Sequence, residues 1–122
     1  MAYDNENVFA KILRGEIPCD KVYENNYALA FQDINAQAPV HVLVIPKGPY
    51  VSYADFSQEA SDAELVGLMR AIGEVARKLG VIESGSRILS NQGENGLQEV
   101  PHFHVHLLAG KSLGRMIKPT AM

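Results

Sequence analysis

The chain has almost no cysteine and no excess of basic charge. Cys19 is the single cysteine in 122 residues, which excludes an internal disulfide and any metal site built from several cysteines, and suits a reducing compartment. Eleven Lys and Arg against fourteen Asp and Glu give a net charge of −3. We therefore expect no broad basic surface and no nucleic-acid partner, although a single nucleotide remains a possible ligand.

Long apolar runs and a secretory signal are also missing. No apolar stretch approaches the ~20 residues that a membrane helix needs, so no membrane partner is expected. The first seven residues, MAYDNEN, are polar and acidic, whereas a signal peptide has a basic and then an apolar region. We therefore predict a cytoplasmic protein. With 47% hydrophobic residues, residues 1–122 are long enough for one domain with its own core.

Apolar periodicity predicts an α+β protein with two helices. Residues 8–13 repeat apolar side chains at helical spacing, and Ser61 and Glu64 form a capping box that begins a longer helix. Gly67 and Gly73 within this helix either are tolerated or mark the close approach of another element, such as a second subunit. Five strands are predicted, over residues 21–24, 27–32, 41–46, 86–91 and from about 100. The order α-β-β-β-α-β-β favours a mainly antiparallel sheet.

The chemically informative segment is PHFHVHLL, residues 101–108, in which imidazole and apolar side chains alternate. This is the period of a β-strand, so His102, His104 and His106 should lie on one face, spaced roughly 6.6 Å apart. Three interpretations are open: a polar face in contact with water, a zinc site completed by a histidine such as His41, or nucleophilic catalysis at phosphorus.

Catalysis at phosphorus explains most features of this region. A neutral imidazole is a good nucleophile near pH 7, and it needs partners that fix its tautomer, bind the phosphate and protonate the leaving group. His104 has a histidine on either side, and the preceding loop offers amide groups such as Asn91 and Gln98. Residues 92–108 contain no Lys or Arg, which fits one singly charged phosphate better than a triphosphate with Mg²⁺.

Residues 102–108 resemble the His-φ-His-φ-His-φ-φ signature of the histidine-triad superfamily of nucleotide hydrolases and transferases, where φ is apolar. Residues 8–18 resemble its opening helix and residues 31–47 its nucleoside-binding hairpin. The layout is most similar to the branch of purine nucleoside phosphoramidases, which hydrolyse the P–N bond of nucleoside 5′-phosphoramidates and release the monophosphate. The resemblance implies a five-stranded antiparallel sheet, a homodimer, a purine nucleotide (AMP- or GMP-type) ligand and no cofactor.

The resemblance also implies roles for the histidines. His104 matches the nucleophile that becomes nucleotidylated. His102 and His41 match residues that orient it or relay protons. His106 matches a histidine that contacts the phosphate and the leaving group.

Binding roles follow in the same way. Asn91 and Gln98 resemble amides that contact the phosphate, and Asp33 resembles the carboxylate that accepts both ribose hydroxyls, since it offers two oxygens to two adjacent donors. The apolar walls of the purine site are matched by Val8, Phe9, Ile12, Phe31, Ile34 and Leu43.

The chain departs from the family pattern in three places. The Cys-x-x-Cys that joins histidines in a zinc site in some members is absent from residues 7–10, so no metal is expected. Glu99 stands where many phosphoramidases have Ser or Thr, and Leu97 stands where small residues are common. Three alternatives stay open: a dinucleoside polyphosphate hydrolase or nucleotidyltransferase of the same superfamily, a nucleotide-binding scaffold with vestigial catalysis, and a zinc-binding protein.

Overall fold

The computed structural model describes residues 2–117, which form one five-stranded sheet and three helices. The strands lie in the order β1-β2-β3-β5-β4, and every neighbouring pair is antiparallel. The α+β class and the five-stranded antiparallel sheet are therefore confirmed. Met1 and residues 118–122, the ends of the predicted 1–122 domain, lie outside the described residues. The elements are α1 (Val8–Leu13), β1 (Lys21–Glu24), β2 (Ala28–Gln32), β3 (Val40–Pro46), α2 (Tyr53–Glu59), α3 (Asp62–Lys78), β4 (Ser86–Leu89) and β5 (Val105–Ala109).

Helix α2 is an addition to the two predicted helices. Ser52 caps it, accepting a hydrogen bond from the Ala54 amide at 3.1 Å, while the Asp55 carboxylate accepts from the Ser52 amide at 2.8 Å. Phe56 is buried between Tyr50 and Phe103. A capping box with Asp at its third position is a weaker sequence signal than one with Glu, and the helix has only seven residues, so apolar periodicity has little length in which to show.

The predicted capping box begins α3 as expected. The Glu64 amide donates to Ser61 Oγ at 3.1 Å, and the Ser61 amide donates to the Glu64 carboxylate at 3.0 Å. At 17 residues α3 is the longest helix, and it packs its apolar face on the sheet. Within residues 2–117 no helix is long and apolar enough to cross a membrane.

The two glycines of α3 differ in what surrounds them. A Cβ on Gly67 would lie 2.6 Å from the ring of Tyr27, and the Gly67 carbonyl accepts a hydrogen bond from Asn25 at 3.0 Å. Close approach is therefore the reason for Gly67, and the approaching element is the β1–β2 turn of the same chain. The nearest atom to a Cβ on Gly73 is the tip of the flexible Arg77 side chain, at 3.0 Å.

The regular strand of the histidine segment begins later than predicted, because residues 101–104 are not part of it. Pairing in β5 starts at Val105 rather than near residue 100. Before it, the Phe103 amide donates to the Tyr50 carbonyl at 2.8 Å and the Ser90 hydroxyl to the His104 carbonyl at 2.7 Å, so loop contacts replace the ladder. The alternation is preserved. Apolar Phe103, Val105 and Leu107 enter the main core beneath α3, while the imidazoles lie on the opposite face, where α1 packs.

Candidate functional site

A cavity of about 350 Å³ lies between α1 and the imidazole face of the sheet. Many of its walls belong to α1, β2, β3 and the loops that follow β2 and β4. The sequence-predicted residues that line it are Val8, Phe9, Ile12, Phe31, Asp33, Ile34, Leu43, Asn91, His104 and His106. All six predicted purine-wall residues thus meet at one cavity with two of the four histidines. Ile34 is 96% exposed and stands at the rim, while Phe9, Phe31 and Leu43 are buried.

His104 has a defined tautomer. Its Nδ1 lies 2.7 Å from the His102 carbonyl oxygen, which can only accept, so Nδ1 carries the proton and Nε2 of the neutral ring carries a lone pair. The side chain is 6% exposed, and the Phe9 ring packs against it edge-on at 5.0 Å. Burial lowers the pKa of His104, so the imidazole is neutral at pH 7. This is the protonation state of a nucleophile.

His41 and His106 form a directional pair. The Gln37 amide donates to His41 Nδ1 at 3.0 Å, so the neutral His41 ring carries its proton on Nε2. That nitrogen lies 2.9 Å from His106 Nδ1 and 3.3 Å from the Asp33 carboxylate. Because His106 Nδ1 accepts, the neutral His106 ring carries its own proton on Nε2. Desolvation, then the neighbouring His104, lowers the pKa of His106 to about 4.

The Nε2–H group of His106 is buried without a hydrogen-bond partner among the described residues. A buried donor left unsatisfied costs about 1–3 kcal/mol. His106 lines the same cavity as His104, so an anionic oxygen bound there would satisfy this donor. The cavity therefore combines a lone pair on His104 with an unused N–H donor on His106.

His102 supports the site from outside the cavity. Its ring is completely buried, its Nε2 donates to the Pro46 carbonyl at 2.8 Å, and its Nδ1 lies 2.5 Å from the Tyr3 hydroxyl. Desolvation lowers its pKa to about 4. The ring does not line the cavity, and the contact with His104 runs through the His102 backbone carbonyl. His102 thus orients His104 by holding the peptide that accepts its proton.

The two predicted phosphate amides are separated. Asn91 lines the cavity with His104. Gln98 does not: its Nε2 donates to the carbonyls of Val51 at 2.6 Å and Val100 at 3.0 Å, and its Oε1 accepts from the Gly93 amide. The side chain of Gln98 is therefore occupied in holding the loop before the histidine segment, and this arrangement does not support direct phosphate contact.

Gln98 belongs instead to a second cavity of about 650 Å³, which lies between the start of α2 and the loop over residues 92–99. Glu99 lines both cavities and so stands at their boundary. No Lys or Arg lines either cavity in the described chain, while the second cavity also contains Asp55, Glu59 and Glu94. A positively charged group is therefore favoured beside Glu99 over a negatively charged one.

Asp33 lies at the cavity wall beside the imidazole pair. One carboxylate oxygen accepts from the Asn35 amide at 2.8 Å, and the other lies 3.3 Å from His41 Nε2. Each oxygen keeps a further lone pair, so two hydroxyl donors can still be accepted. Asp33, the residue predicted to bind the ribose, thus also contacts the His41–His106 pair. The sequence did not indicate this contact.

One group of potential metal ligands occurs within residues 2–117. Atoms of Asp33, His41 and His106 lie within 4.8 Å of one another. Ligation needs a lone pair on His41 Nε2, but the Gln37 amide already occupies the Nδ1 lone pair and leaves the proton on Nε2. The donor set therefore suits a hydrogen-bonded relay better than a zinc ion.

Some residues at the site carried no sequence signal. Tyr3 contacts His102 across 99 residues, and Ile17, Pro18 and Cys19 line the first cavity. A single tyrosine in a polar segment is unremarkable in a sequence, and only the fold reveals its partner. Glu99 lines both cavities because of the conformation of its loop, which the sequence likewise did not indicate.

Comparisons with known proteins identify the family of this chain. The HIT domain matches residues 14–113. An uncharacterised HIT-like protein of Azospirillum brasilense is 64% identical over 115 residues, covering 94% of each chain. The purine nucleoside phosphoramidase of Escherichia coli is 41% identical over 112 residues, covering 92% of this chain and 93% of its own. A histidine triad protein of Clostridium difficile has a solved structure with TM-score 0.83 and 39% identity, covering 95% of this chain and 100% of its own. The chain therefore belongs to the HIT family, as its histidine motif predicted.

Proposed function

We propose that this protein hydrolyses purine nucleoside 5′-phosphoramidates through a covalent nucleotidyl intermediate on His104. The observation that carries the proposal is the pairing, in one cavity, of the His104 Nε2 lone pair with the unsatisfied Nε2–H of His106. A nucleophile and an anion-binding donor are what displacement at phosphorus requires. The similarity to a purine nucleoside phosphoramidase supports the same reaction.

The first step forms one bond and breaks another. His104 Nε2 attacks the α-phosphorus, the P–N bond breaks, and its electron pair leaves with the amine nitrogen. His106 Nε2–H supplies the proton that the amine takes up. His106 Nδ1 then receives the proton of His41 Nε2, 2.9 Å away, and a solvent proton relayed by the Asp33 carboxylate, 3.3 Å from His41 Nε2, replaces it, so neither imidazole becomes anionic.

Water completes the reaction. It attacks the nucleotidyl phosphorus, the P–N bond to His104 breaks, and the nucleoside monophosphate is released. His106 Nε2 takes the proton of the attacking water, the Nδ1 proton passes back to His41, and the surplus proton leaves to solvent through Asp33, so the imidazoles regain their starting tautomers. Asn91 lies on the cavity wall, where its carboxamide is available for a phosphate oxygen.

The rest of the first cavity suits a nucleoside. The six apolar wall residues form a slot for a purine, and Asp33 offers carboxylate oxygens for the ribose hydroxyls. The cavity volume of about 350 Å³ falls at the lower end of typical small-molecule sites. The base and ribose therefore hold the phosphorus near His104.

Glu99, at the boundary between the two cavities, favours a phosphoramidate substrate over a dinucleoside polyphosphate substrate. The leaving group of a phosphoramidate is an amine, whereas that of a dinucleoside polyphosphate carries several negative charges. Glu99 lines the cavity of His104, and no Lys or Arg lines either cavity in the described chain. Repulsion by Glu99 would oppose the anionic leaving group.

We also propose a homodimer in the cytoplasm. Strand β4 is an edge of the sheet, and Ile88 on it is 48% exposed. On α3, Val66 is 53% and Met69 63% exposed. An exposed edge strand and exposed apolar side chains are features that a second copy of the chain would cover. The exposed thiol of Cys19 and the bacterial relatives support a reducing cytoplasm.

Side-by-side kinetics test the proposed reaction. Adenosine 5′-phosphoramidate and a diadenosine polyphosphate are offered to the same preparation. We expect kcat/KM to be at least about a hundredfold higher for the phosphoramidate. A preference for the polyphosphate would favour the other hydrolase branch, and tight AMP binding without turnover of either substrate would favour the scaffold. Stoichiometric zinc with activity lost to chelators would favour the zinc-binding protein.

A further inference from the structure

Tyr3 lies in a short segment before α1 that is fixed by local hydrogen bonds. Asp4 accepts from the Glu6 amide at 2.9 Å and, through its carbonyl, from the Asn7 side chain at 2.7 Å. Asn7 in turn caps α1 by accepting from the Ala10 amide at 2.9 Å. The segment is therefore anchored to the helix that forms one wall of the first cavity. The HIT domain match begins at residue 14, so Tyr3 lies outside it.

The Tyr3 hydroxyl contacts the one nitrogen of the His102 ring that can accept a hydrogen bond. His102 Nε2 donates to the Pro46 carbonyl, so Nδ1 of the neutral ring carries the lone pair and the hydroxyl donates to it at 2.5 Å. The two rings also pack edge-on with centroids 5.6 Å apart. Both nitrogens of a completely buried ring are thus satisfied, one of them by a residue 99 positions away.

The effect reaches His104 through the peptide of His102. The His102 carbonyl accepts the Nδ1 proton of His104 at 2.7 Å, which leaves the Nε2 lone pair free. The imidazole ring and the carbonyl group of His102 are both attached to its Cα, so a shift of the Cα that accompanies movement of the ring would displace this carbonyl. The hydrogen bonds to Tyr3 and Pro46 hold the ring at both nitrogens and so restrain the Cα against such a shift.

We propose that Tyr3 is a positioning residue for the reaction: acting through His102, its hydroxyl holds the carbonyl that sets the tautomer and direction of His104. This inference rests on the proposed function for its kinetic consequence and on the hydrogen bonds alone for its structural one. Tyr3 lines the second cavity but not the cavity of His104, so it lies outside the space proposed for the nucleotide and the reacting phosphorus.

The test is Tyr3→Phe, which keeps the ring and removes the hydroxyl. We expect kcat for adenosine phosphoramidate to fall about tenfold while KM stays within twofold, because the nucleoside slot is untouched. Tyr53→Phe is the matched control: Tyr53 is 53% exposed and lines neither cavity, so its kcat should not change. An unchanged kcat in Tyr3→Phe, a rise in KM instead, or an equal loss in Tyr53→Phe would overturn the proposal.

A double-mutant cycle of Tyr3→Phe and His102→Asn distinguishes positioning of His104 through His102 from general support of the fold. If Tyr3 acts through His102, adding Tyr3→Phe to His102→Asn should lower kcat by less than twofold further. A full additional tenfold loss would overturn the proposal. If wild-type protein proves inactive on phosphoramidates, the proposed function fails but Tyr3 can still be tested. The imidazole ¹⁵N spectrum of Tyr3→Phe should then show a shifted His102 Nδ1 signal and a perturbed His104, and unchanged signals would overturn the proposal.

Discussion

At the scale of single residues, the four histidines differ in where each neutral ring keeps its proton. The Nδ1 proton of His104 is fixed by a backbone carbonyl, whereas His41, His102 and His106 carry theirs on Nε2. Burial keeps His102, His104 and His106 neutral at pH 7 by lowering their pKa values. In the proposed reaction this makes one ring the nucleophile and the others its supports.

His104→Asn should abolish turnover of adenosine phosphoramidate, with kcat lowered by at least about a thousandfold, because the bond-forming nitrogen is lost. The purine and ribose walls remain, so AMP affinity measured by calorimetry should stay within a few-fold of wild type. Near-normal turnover in the purified variant would exclude a nucleotidyl-His104 intermediate.

Asp33→Asn tests the ribose contact. An amide offers one accepting oxygen in place of two, so KM for a ribonucleoside phosphoramidate should rise about tenfold. Removing the ribose hydroxyls from the substrate should remove most of this difference, so the 2′,3′-dideoxy substrate serves as the control. An equal rise in KM for both substrates would mean that Asp33 acts only through His41.

At the scale of elements, the site depends on how the fold brings together α1, residues 101–104, which lead into β5, and the loop over residues 92–99. Sequence predicted α1, the strands and the alternating faces, because each is a local pattern of apolar residues. It placed the start of the histidine strand near residue 100, but loop contacts replace strand pairing until Val105. It omitted α2, whose seven residues are short for periodicity.

The glycines of α3 provide a matched pair of substitutions. Gly67→Ala should lower the free energy of unfolding by about 1–3 kcal/mol, because its Cβ would lie 2.6 Å from the Tyr27 ring. Gly73→Ala should leave stability unchanged or raise it by up to about 1 kcal/mol, since only the mobile end of Arg77 is near. Urea unfolding measures both, and a similar change in the two variants would contradict the close approach at Gly67.

Site residues were predictable where the motif itself identifies them. Asp33, Asn91, the six apolar wall residues and two histidines of the motif, His104 and His106, line one cavity, whereas His102 lies outside it and Gln98 is directed into its own loop. The contacts of Tyr3 and the sharing of Glu99 between two cavities depend on residues distant in sequence. Local patterns in a single sequence do not indicate which distant residues come into contact, so only the fold reveals these contacts.

At the scale of the whole molecule, stability should fall as the pH falls below about 6.5. His102 and His106 have pKa values near 4 when folded and near 6.5 when unfolded, so the unfolded chain binds the protons. Their contribution is complete above pH 6.5 and is lost as the pH falls towards 4. The completely buried His102 alone accounts for about 2–3 kcal/mol of that loss.

Urea unfolding at pH 7 and at pH 4.5 measures this loss. His102→Asn should show a clearly shallower dependence on pH than the wild-type chain, whatever its stability at pH 7. An identical dependence in the two proteins would mean that His102 is not held neutral by the fold.

The proposed dimer also belongs to this scale. Met69→Glu places a charge on the exposed face of α3, so the protein should shift from dimer to monomer in sedimentation at micromolar concentration. Glu59→Gln, on α2 beside the second cavity, is a control expected to stay dimeric. A wild-type monomer at the same concentration would contradict the dimer.

The most direct measurement is mass spectrometry of the intact protein after millisecond exposure to adenosine phosphoramidate, followed by peptide mapping. We predict a covalent AMP adduct on His104 that disappears as substrate is exhausted. Turnover of the phosphoramidate with no adduct at any time, or with the adduct on another residue, would contradict the proposed role of His104.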